Sequence, residues 1–126
     1  MSHTPTELKY ASSHEWARLE DDGTVTVGIS DHAQGALGDV VFVETGAAGR
    51  IVDAGAVVAE VESTKSVGEI YAPTRLEVVA VNETIRDRPE LVNQEPYGAG
   101  WLFEARLLDP LPETILDAEG YRLLID

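Results

Sequence analysis

Residues 56–72 read AVVAEVESTKSVGEIYA, and this stretch decides the fold. Apolar and polar residues alternate on both sides of a short polar centre, and alternation of period two predicts β-strands. We predict a strand over 56–64 and a returning strand over 67–72, which Pro73 ends because proline has no N–H for the ladder. One face of the first strand is predicted to be apolar: Val57, Ala59 and Val61. The centre is therefore a hairpin with Lys65 at its tip.

A lysine at a hairpin tip is held out into solvent by two rigid strands. A modifying enzyme can reach such an amine, so the position suits the attachment of a covalent arm. The chain contains only two lysines, Lys9 and Lys65, which leaves few competing amines. A solvated turn without any modification is the plainer interpretation, because polar residues including lysine are common in turns.

The rest of the chain predicts one mainly β domain over residues 1–126, with short helices at its periphery. Further strands are predicted within 7–19, 24–29, 39–44, 76–82 and 101–107. The apolar run at 39–44 predicts a strand that is buried on both faces.

The helices are predicted from their end signals. One begins at Asp31, which is predicted to cap it with Gln34 reaching back, and ends at Gly38. A helical turn is predicted after Pro89, and a C-terminal helix over 112–119 that Gly120 ends. Residues 1–7 are predicted to be a flexible N-terminus.

Composition excludes several classes of protein. The chain has 126 residues, 23 acidic and 9 basic residues, a formal net charge of -14 and no cysteine. An acidic chain is repelled by nucleic-acid phosphates and anionic lipids, so neither is an expected partner. Without cysteine there is no disulfide and no thiolate ligand. The N-terminus shows no targeting segment, which predicts a cytoplasmic protein of bacterial type or one whose presequence has been removed.

Nothing in the sequence favours an enzyme. No serine lies in a Gly-x-Ser-x-Gly elbow, and no Gly-rich phosphate loop precedes a helix. The three histidines, His3, His14 and His32, have no His-x-x-x-His spacing, so no metal site is predicted. The acidic residues are expected to form a solvated surface.

Several segments in register resemble the glycine cleavage system H protein family. They are KYASSHEW (9–16), GISDHAQ (28–34), LGDVVFVE (37–44), VESTKS (61–66), PELVN (89–93), PY (96–97) and GWL (100–102). The resemblance covers most of residues 8–108. It implies a barrel-sandwich hybrid, the fold of lipoyl and biotinyl carriers, with two antiparallel sheets and short helices.

The resemblance also implies a lipoyl group on Lys65. That arm would take an aminomethyl group from glycine decarboxylase (P protein) and carry it to a tetrahydrofolate-dependent aminomethyltransferase (T protein). Dihydrolipoamide dehydrogenase (L protein) would then reoxidise the arm, and lipoate-attaching enzymes would install it. On this basis the chain is a non-catalytic carrier and a monomer, with chemistry supplied by cofactors.

The resemblance also assigns further site residues. The hairpin recognised for lipoylation is Glu62, Ser63, Thr64 and Ser66 around Lys65. Glu15 and His32 match positions near a cleft that shelters the loaded arm, although they are equally consistent with bridging strands or capping the helix after Ser30.

The sequence departs from the family at two places. Thr64 and Ser66 replace an apolar residue and an alanine, and Thr74-Arg75-Leu76 replaces a glycine-containing turn, which suggests a different loop or mild strain. Three alternatives stay open. They are an H-like lipoyl donor, a lipoyl domain that serves 2-oxoacid dehydrogenases, and an unmodified interaction protein on the same fold. A biotinyl carrier is disfavoured, because its lysine usually lies between methionines.

Overall fold

The computed structural model describes residues 3–126 as two antiparallel sheets with short helices around them. The strands are β1 (Lys9–Tyr10), β2 (Glu15–Leu19), β3 (Val25–Ile29), β4 (Val40–Thr45), β5 (Ile51–Val52), β6 (Val57–Ser63), β7 (Val67–Tyr71), β8 (Leu76–Val81) and β9 (Phe103–Leu107). The helices are α1 (Asp31–Leu37), α2 (Thr84–Asp87), α3 (Leu91–Gln94) and α4 (Ala118–Ile125). One sheet has the order β1-β2-β3-β9-β8-β5 and the other β4-β6-β7, which confirms the predicted fold class.

Apolar side chains from both sheets form one core between them. The members from the strands include Val25, Val27, Ile29, Val40, Val43, Val61, Ile70, Val78 and Ala105. Burial of one such aliphatic side chain stabilises a fold by roughly 1.5–3 kcal/mol. Val61 and Ile70 therefore anchor the β6–β7 hairpin in the core. A second cluster holds α4 against β1 and β2, and it contains Leu8, Tyr10, Trp16, Ala118 and Tyr121. Within the described range, no helix has the length and apolar character needed to cross a bilayer.

Two predictions about strand faces are wrong. β4 is not buried on both faces, because Val41 and Phe42 are 53% and 47% exposed. On β6, Val57 lies at the surface and Val58 is buried. A register shift in the pairing with β7, between Val57 and Ala59, turns Val58 inward. An irregularity of this kind adds a residue that period-two alternation does not anticipate.

The predicted bounds of α1 are confirmed, but its N-cap is different. Ser30 is the capping residue, and its hydroxyl accepts a hydrogen bond from the Ala33 N–H at 3.1 Å. Asp31 lies in the first turn, where its carboxylate accepts from the Gln34 side-chain amide at 2.8 Å. Gly38 ends the helix with a φ of 90°, a conformation that L side chains rarely adopt.

The C-terminal helix does not span 112–119. Leu116 is extended and exchanges two backbone hydrogen bonds with Tyr10, at 2.8 and 2.7 Å. The helix begins only after Asp117, whose side chain accepts from the Gly120 N–H at 2.8 Å. Gly120 therefore lies inside α4 and does not end it. The helix starts later than predicted because Leu116 pairs with Tyr10 as extended backbone.

The described part of the N-terminal segment contacts the domain. Thr4 is buried, and its carbonyl accepts from the Arg122 guanidinium at 2.8 Å. The Pro5 carbonyl accepts from the Tyr10 hydroxyl at 2.6 Å. These contacts join Thr4 and Pro5 to the domain, whereas residues 1–2 lie outside the described range, and the flexibility of 1–7 stays a prediction.

The segment that departs from the family, 74–76, forms a bend that leads into β8, whose first residue is Leu76. Leu76 is buried, the Thr74 hydroxyl donates to the Pro110 carbonyl at 3.0 Å, and Arg75 pairs with Asp53 at 3.5 Å. None of the three has a positive φ, so the strain suggested as one possibility is not seen there.

Candidate functional site

The β6–β7 hairpin holds Lys65 in a turn that side-chain hydrogen bonds brace. The Ser63 N–H donates to the Ser66 carbonyl at 2.8 Å. The Ser63 hydroxyl accepts from the N–H groups of Lys65 and Ser66, at 3.2 and 3.0 Å, and donates to the Ser66 carbonyl at 3.1 Å. The Thr64 N–H donates to the Asp39 carbonyl at 3.2 Å, which fastens the turn to the start of β4. Neither central residue needs the positive φ that most two-residue hairpins require.

The Lys65 side chain is exposed at this tip, as predicted. Its stem passes Gly38 so closely that an added Cβ on that glycine would lie 3.2 Å from Lys65 Cε. Within residues 3–126, Lys65 takes part in no ion pair. The amine is therefore accessible from solvent.

The other residues of the predicted recognition hairpin divide into two groups. Glu62, Thr64 and Ser66 are exposed beside Lys65. Ser63 is buried and its hydroxyl is occupied by the turn. Its contacts are those of a residue that shapes the hairpin, whereas the exposed three are available to a partner.

A cleft of about 270 Å³ lies beside the hairpin. Its apolar walls come from Ile29, Ala33, Ala36, Leu37, Val61, Gly68 and Ile70, and its polar groups from Ser13, His14, His32, Ser66 and Glu69. The cleft is thus built from β3, α1, β6, β7 and the segment before β2. It suits a hydrocarbon chain that ends in a polar group.

The structure separates the two predicted cleft residues. His32 lines the cleft and is half-buried. Glu15 is buried on β2, where it accepts from the Ser13 hydroxyl and from the Tyr71 N–H at 3.0 Å. Glu15 therefore bridges β2 and β7 and meets the cleft through Ser13. Burial raises the pKa of the Glu15 carboxyl, although both hydrogen bonds oppose that shift.

His14 is a cleft residue that the sequence analysis did not select. Its ring centroid lies 5.2 Å from that of His32, and its Nδ1 lies 2.7 Å from the Tyr121 hydroxyl. Burial, and secondly the neighbouring His32, lower the pKa of His14. The available signal was its place in KYASSHEW, next to Glu15. Glu69, which also lines the cleft, was not predicted as a site residue. The signal that could have indicated it is the alternation of the strand that follows Lys65.

No group of three or more histidine, aspartate or glutamate residues in the described range lies close enough to hold a metal ion. The site as described contains one exposed amine, one apolar cleft and two histidines at its rim. Such a site is suited to holding a tethered group and its load.

Comparisons with known proteins agree with this geometry. The sequence profile of the Glycine cleavage H-protein family matches residues 8–124. Glycine cleavage system H protein 2 of Pseudomonas putida is 56% identical over 126 residues, covering 99% of this chain and 98% of that protein. The H protein of Shewanella loihica is 57% identical over 127 residues, covering 100% and 98%. The crystal structure of an H protein from Mycobacterium marinum superposes with a TM-score of 0.86 at 39% identity, over 93% of this chain and 94% of that one.

The two sheets, with a lysine at the tip of the β6–β7 hairpin of the smaller sheet, define a carrier domain. The profile match and the full-length relatives then place the chain in one family: it belongs to the glycine cleavage system H proteins. Its role is therefore that of the lipoyl carrier of the glycine cleavage system.

Proposed function

We propose that residues 1–126 form a single lipoyl-carrier domain whose lipoyl group is joined to Lys65 by an amide bond. The observation that carries this proposal is the exposed lysine on a braced hairpin beside an apolar cleft. The other lysine, Lys9, lies on β1, away from a hairpin tip. The deprotonated lysine amine would displace the activating group from an ATP-activated lipoate carboxyl, and the amide that forms would remove the positive charge at the tip.

The residues present fit a lipoyl group. When bound, it supplies a dithiolane whose disulfide is reduced as it takes up the aminomethyl group. The apolar wall, including Leu37, Val61 and Ile70, matches the hydrocarbon part of the arm. His32 would offer a polar group of the cleft wall to the end of the arm, and the Glu15 carboxylate holds Ser13 of that wall by accepting from its hydroxyl. We propose that this cleft shields the loaded arm from water.

We propose that glycine decarboxylase, the aminomethyltransferase and dihydrolipoamide dehydrogenase act in turn on the arm, after a lipoate-attaching enzyme has installed it. The chain offers binding and orientation, and the partner enzymes supply catalysis. Tethering raises the effective concentration of the arm at each docked partner. A monomeric carrier in the cytoplasm is the simplest form of this proposal.

The outer face of the β4-β6-β7 sheet is suited to docking. Two rows cross it in register beside the hairpin, Phe42-Glu62-Val67 and Glu44-Glu60-Glu69. Phe42 and Val67 are 47% and 52% exposed, and within residues 3–126 these glutamates form no ion pair. Like charges directly opposite each other destabilise a sheet. We propose that a partner surface with arginine or lysine around an apolar centre relieves this repulsion when it docks.

The test is intact-mass analysis with peptide mapping, after incubation of the chain with lipoate ligase, ATP and lipoate. We expect one lipoyl group on the Lys65 peptide. Lys65→Arg should gain none, and the matched control Lys9→Arg should gain one. A lipoyl group on Lys9, or none in the folded wild type, would contradict the proposal. A second assay measures whether the lipoylated chain accepts aminomethyl groups from glycine decarboxylase. An H protein should accept them, whereas a lipoyl donor for 2-oxoacid dehydrogenases should not.

A further inference from the structure

The C-terminal helix places one hydroxyl between His14, which lines the cleft, and the buried Ser30 behind it. Tyr121 on α4 is fully buried, and its ring stacks on Tyr10 with centroids 4.6 Å apart and planes 7° apart. Its hydroxyl lies 2.6 Å from Ser30 Oγ and 2.7 Å from His14 Nδ1. The stack fixes the position of this hydroxyl, so both contacts are held together.

The direction of the hydrogen bonds follows from burial. Ser30 is fully buried, and its Oγ already accepts from the Ala33 N–H. Its own hydrogen therefore needs a protein acceptor, and the Tyr121 oxygen is the one in contact. The Tyr121 hydrogen is then directed to His14 Nδ1, which must be unprotonated to accept it. The neutral His14 imidazole consequently carries its proton on Nε2.

The His14 backbone is equally constrained. It has a φ of 80°, an uncommon value for a residue other than glycine. Its N–H donates to the Ala11 carbonyl at 2.9 Å, and its carbonyl accepts from the Ser30 N–H at 3.0 Å. These bonds direct the ring into the cleft, where Nδ1 is held from behind by Tyr121.

We propose that Tyr121 is a positioning residue for the arm cleft, which keeps His14 neutral and protonated on Nε2 at the cleft rim. This inference rests on the proposed function. The loaded arm ends in an ammonium group, and a neutral imidazole avoids the repulsion that an imidazolium would add. The other titratable groups around His14 are His32 on α1, Glu69 on β7 and Glu15 behind Ser13 on β2. Helix α4, remote in sequence, thereby supports a residue of the cleft wall without lining the cleft itself.

The first experiment is ¹⁵N NMR of the histidine rings in the full-length unmodified chain. Tyr121→Phe keeps the stacked ring and removes the hydroxyl. Tyr10→Phe is the matched control, because it removes the other hydroxyl of the same stack, which donates to Pro5 at 2.6 Å. In the wild type and in Tyr10→Phe we expect the Nε2–H tautomer of His14.

Loss of one net hydrogen bond should shift the His14 tautomer ratio in Tyr121→Phe about two- to tenfold toward Nδ1–H. Its titration midpoint should rise, because a bond to the neutral form is lost. An unchanged tautomer and midpoint in Tyr121→Phe would overturn the proposal, as would the same change in Tyr10→Phe.

The second experiment tests the arm itself. Hydrolysis of the loaded arm consumes one water and breaks the sulfur–carbon and carbon–nitrogen bonds, which gives the thiol, formaldehyde and ammonium. We expect Tyr121→Phe to release formaldehyde and ammonium about two- to tenfold faster than the wild type and Tyr10→Phe. If the tautomer shifts but release does not, the role in the arm cleft is refuted. If Lys65 accepts no lipoyl group, the proposed function fails, and the NMR result is unaffected.

Discussion

Replacing Gly38 with alanine is expected to destabilise the protein, and Gly35→Ala is its matched control. Gly38 ends α1 with a φ of 90° and a ψ of -165°, a region that is essentially limited to glycine. An alanine forced into that region costs about 1–3 kcal/mol. Gly35 lies inside α1, and an added Cβ there meets no atom within 4 Å.

Relaxation of the backbone would not remove this cost. The Gly38 N–H donates to the Gln34 carbonyl at 3.0 Å, and the Gly38 carbonyl accepts from Asn93 Nδ2 at 2.8 Å. A change of φ toward negative values would break these contacts, at about 1 kcal/mol each. The contact of the new Cβ with Lys65 Cε adds little, because the end of a lysine side chain can move. We therefore expect a loss of about 1–3 kcal/mol for Gly38→Ala.

The control should shift in the opposite direction. Alanine in place of glycine in an unhindered helix interior stabilises by about 0.5–1 kcal/mol. Urea unfolding followed by tryptophan fluorescence gives both free energies, and for a chain of this size 1 kcal/mol corresponds to about 4 °C in Tm. A Gly38→Ala variant as stable as the wild type would refute the reasoning, and so would a shift of both variants in the same direction.

Three further predictions concern the site. The free energy of unfolding of Lys65→Arg should lie within about 0.5 kcal/mol of the wild-type value, because the exposed tip adds little to stability. The variant should support no glycine cleavage, because a guanidinium cannot form the lipoyl amide, and any cleavage above background would contradict this. The folded pKa of His14 is lowered, so the unfolded chain binds more protons just below the ordinary value of 6.5, and stability from this group is lost as pH falls through that window. His14→Asn tolerates the positive φ and removes this titration, so the drop in urea midpoint between about pH 7.5 and about pH 5.5 should shrink, and an equal drop in both proteins would argue against it. Glu60→Arg on the docking face should raise the KM for the carrier with glycine decarboxylase about two- to tenfold at low salt, an effect that salt should weaken, whereas the exposed Glu113→Arg should leave it unchanged.

The strands and the lysine hairpin could be predicted because local patterns determine them. Period-two alternation locates the β6–β7 hairpin, and Gly38 marks the end of α1 through its own conformational freedom. α3 lies at the helical turn predicted after Pro89, although α2 was not predicted. The exposure of Val41 and Phe42 could not be predicted, because an apolar run does not reveal which face the second sheet covers.

The parts of the site that were missed depend on contacts between distant residues. Tyr121 contacts His14 although the two residues are 107 positions apart in the sequence, and no local pattern around either residue predicts this contact. The start of α4 was misplaced for the same reason, since Leu116 is claimed by Tyr10 before the helix can begin. Local chemistry determines where a strand turns, whereas the partner of a buried hydroxyl depends on the whole chain.

The brace at Ser63 has a consequence for how a group attached at the tip would move. One buried hydroxyl accepts from the N–H groups of Lys65 and Ser66, so the Lys65 Cα has a defined position relative to the sheets. An arm joined to Lys65, as we propose, would therefore swing from a fixed pivot, and only the rotatable bonds beyond the lysine Cα would explore space. The search for a partner's active site would then depend on the length of the arm and the angle of docking, and a less rigid turn would make both less definite.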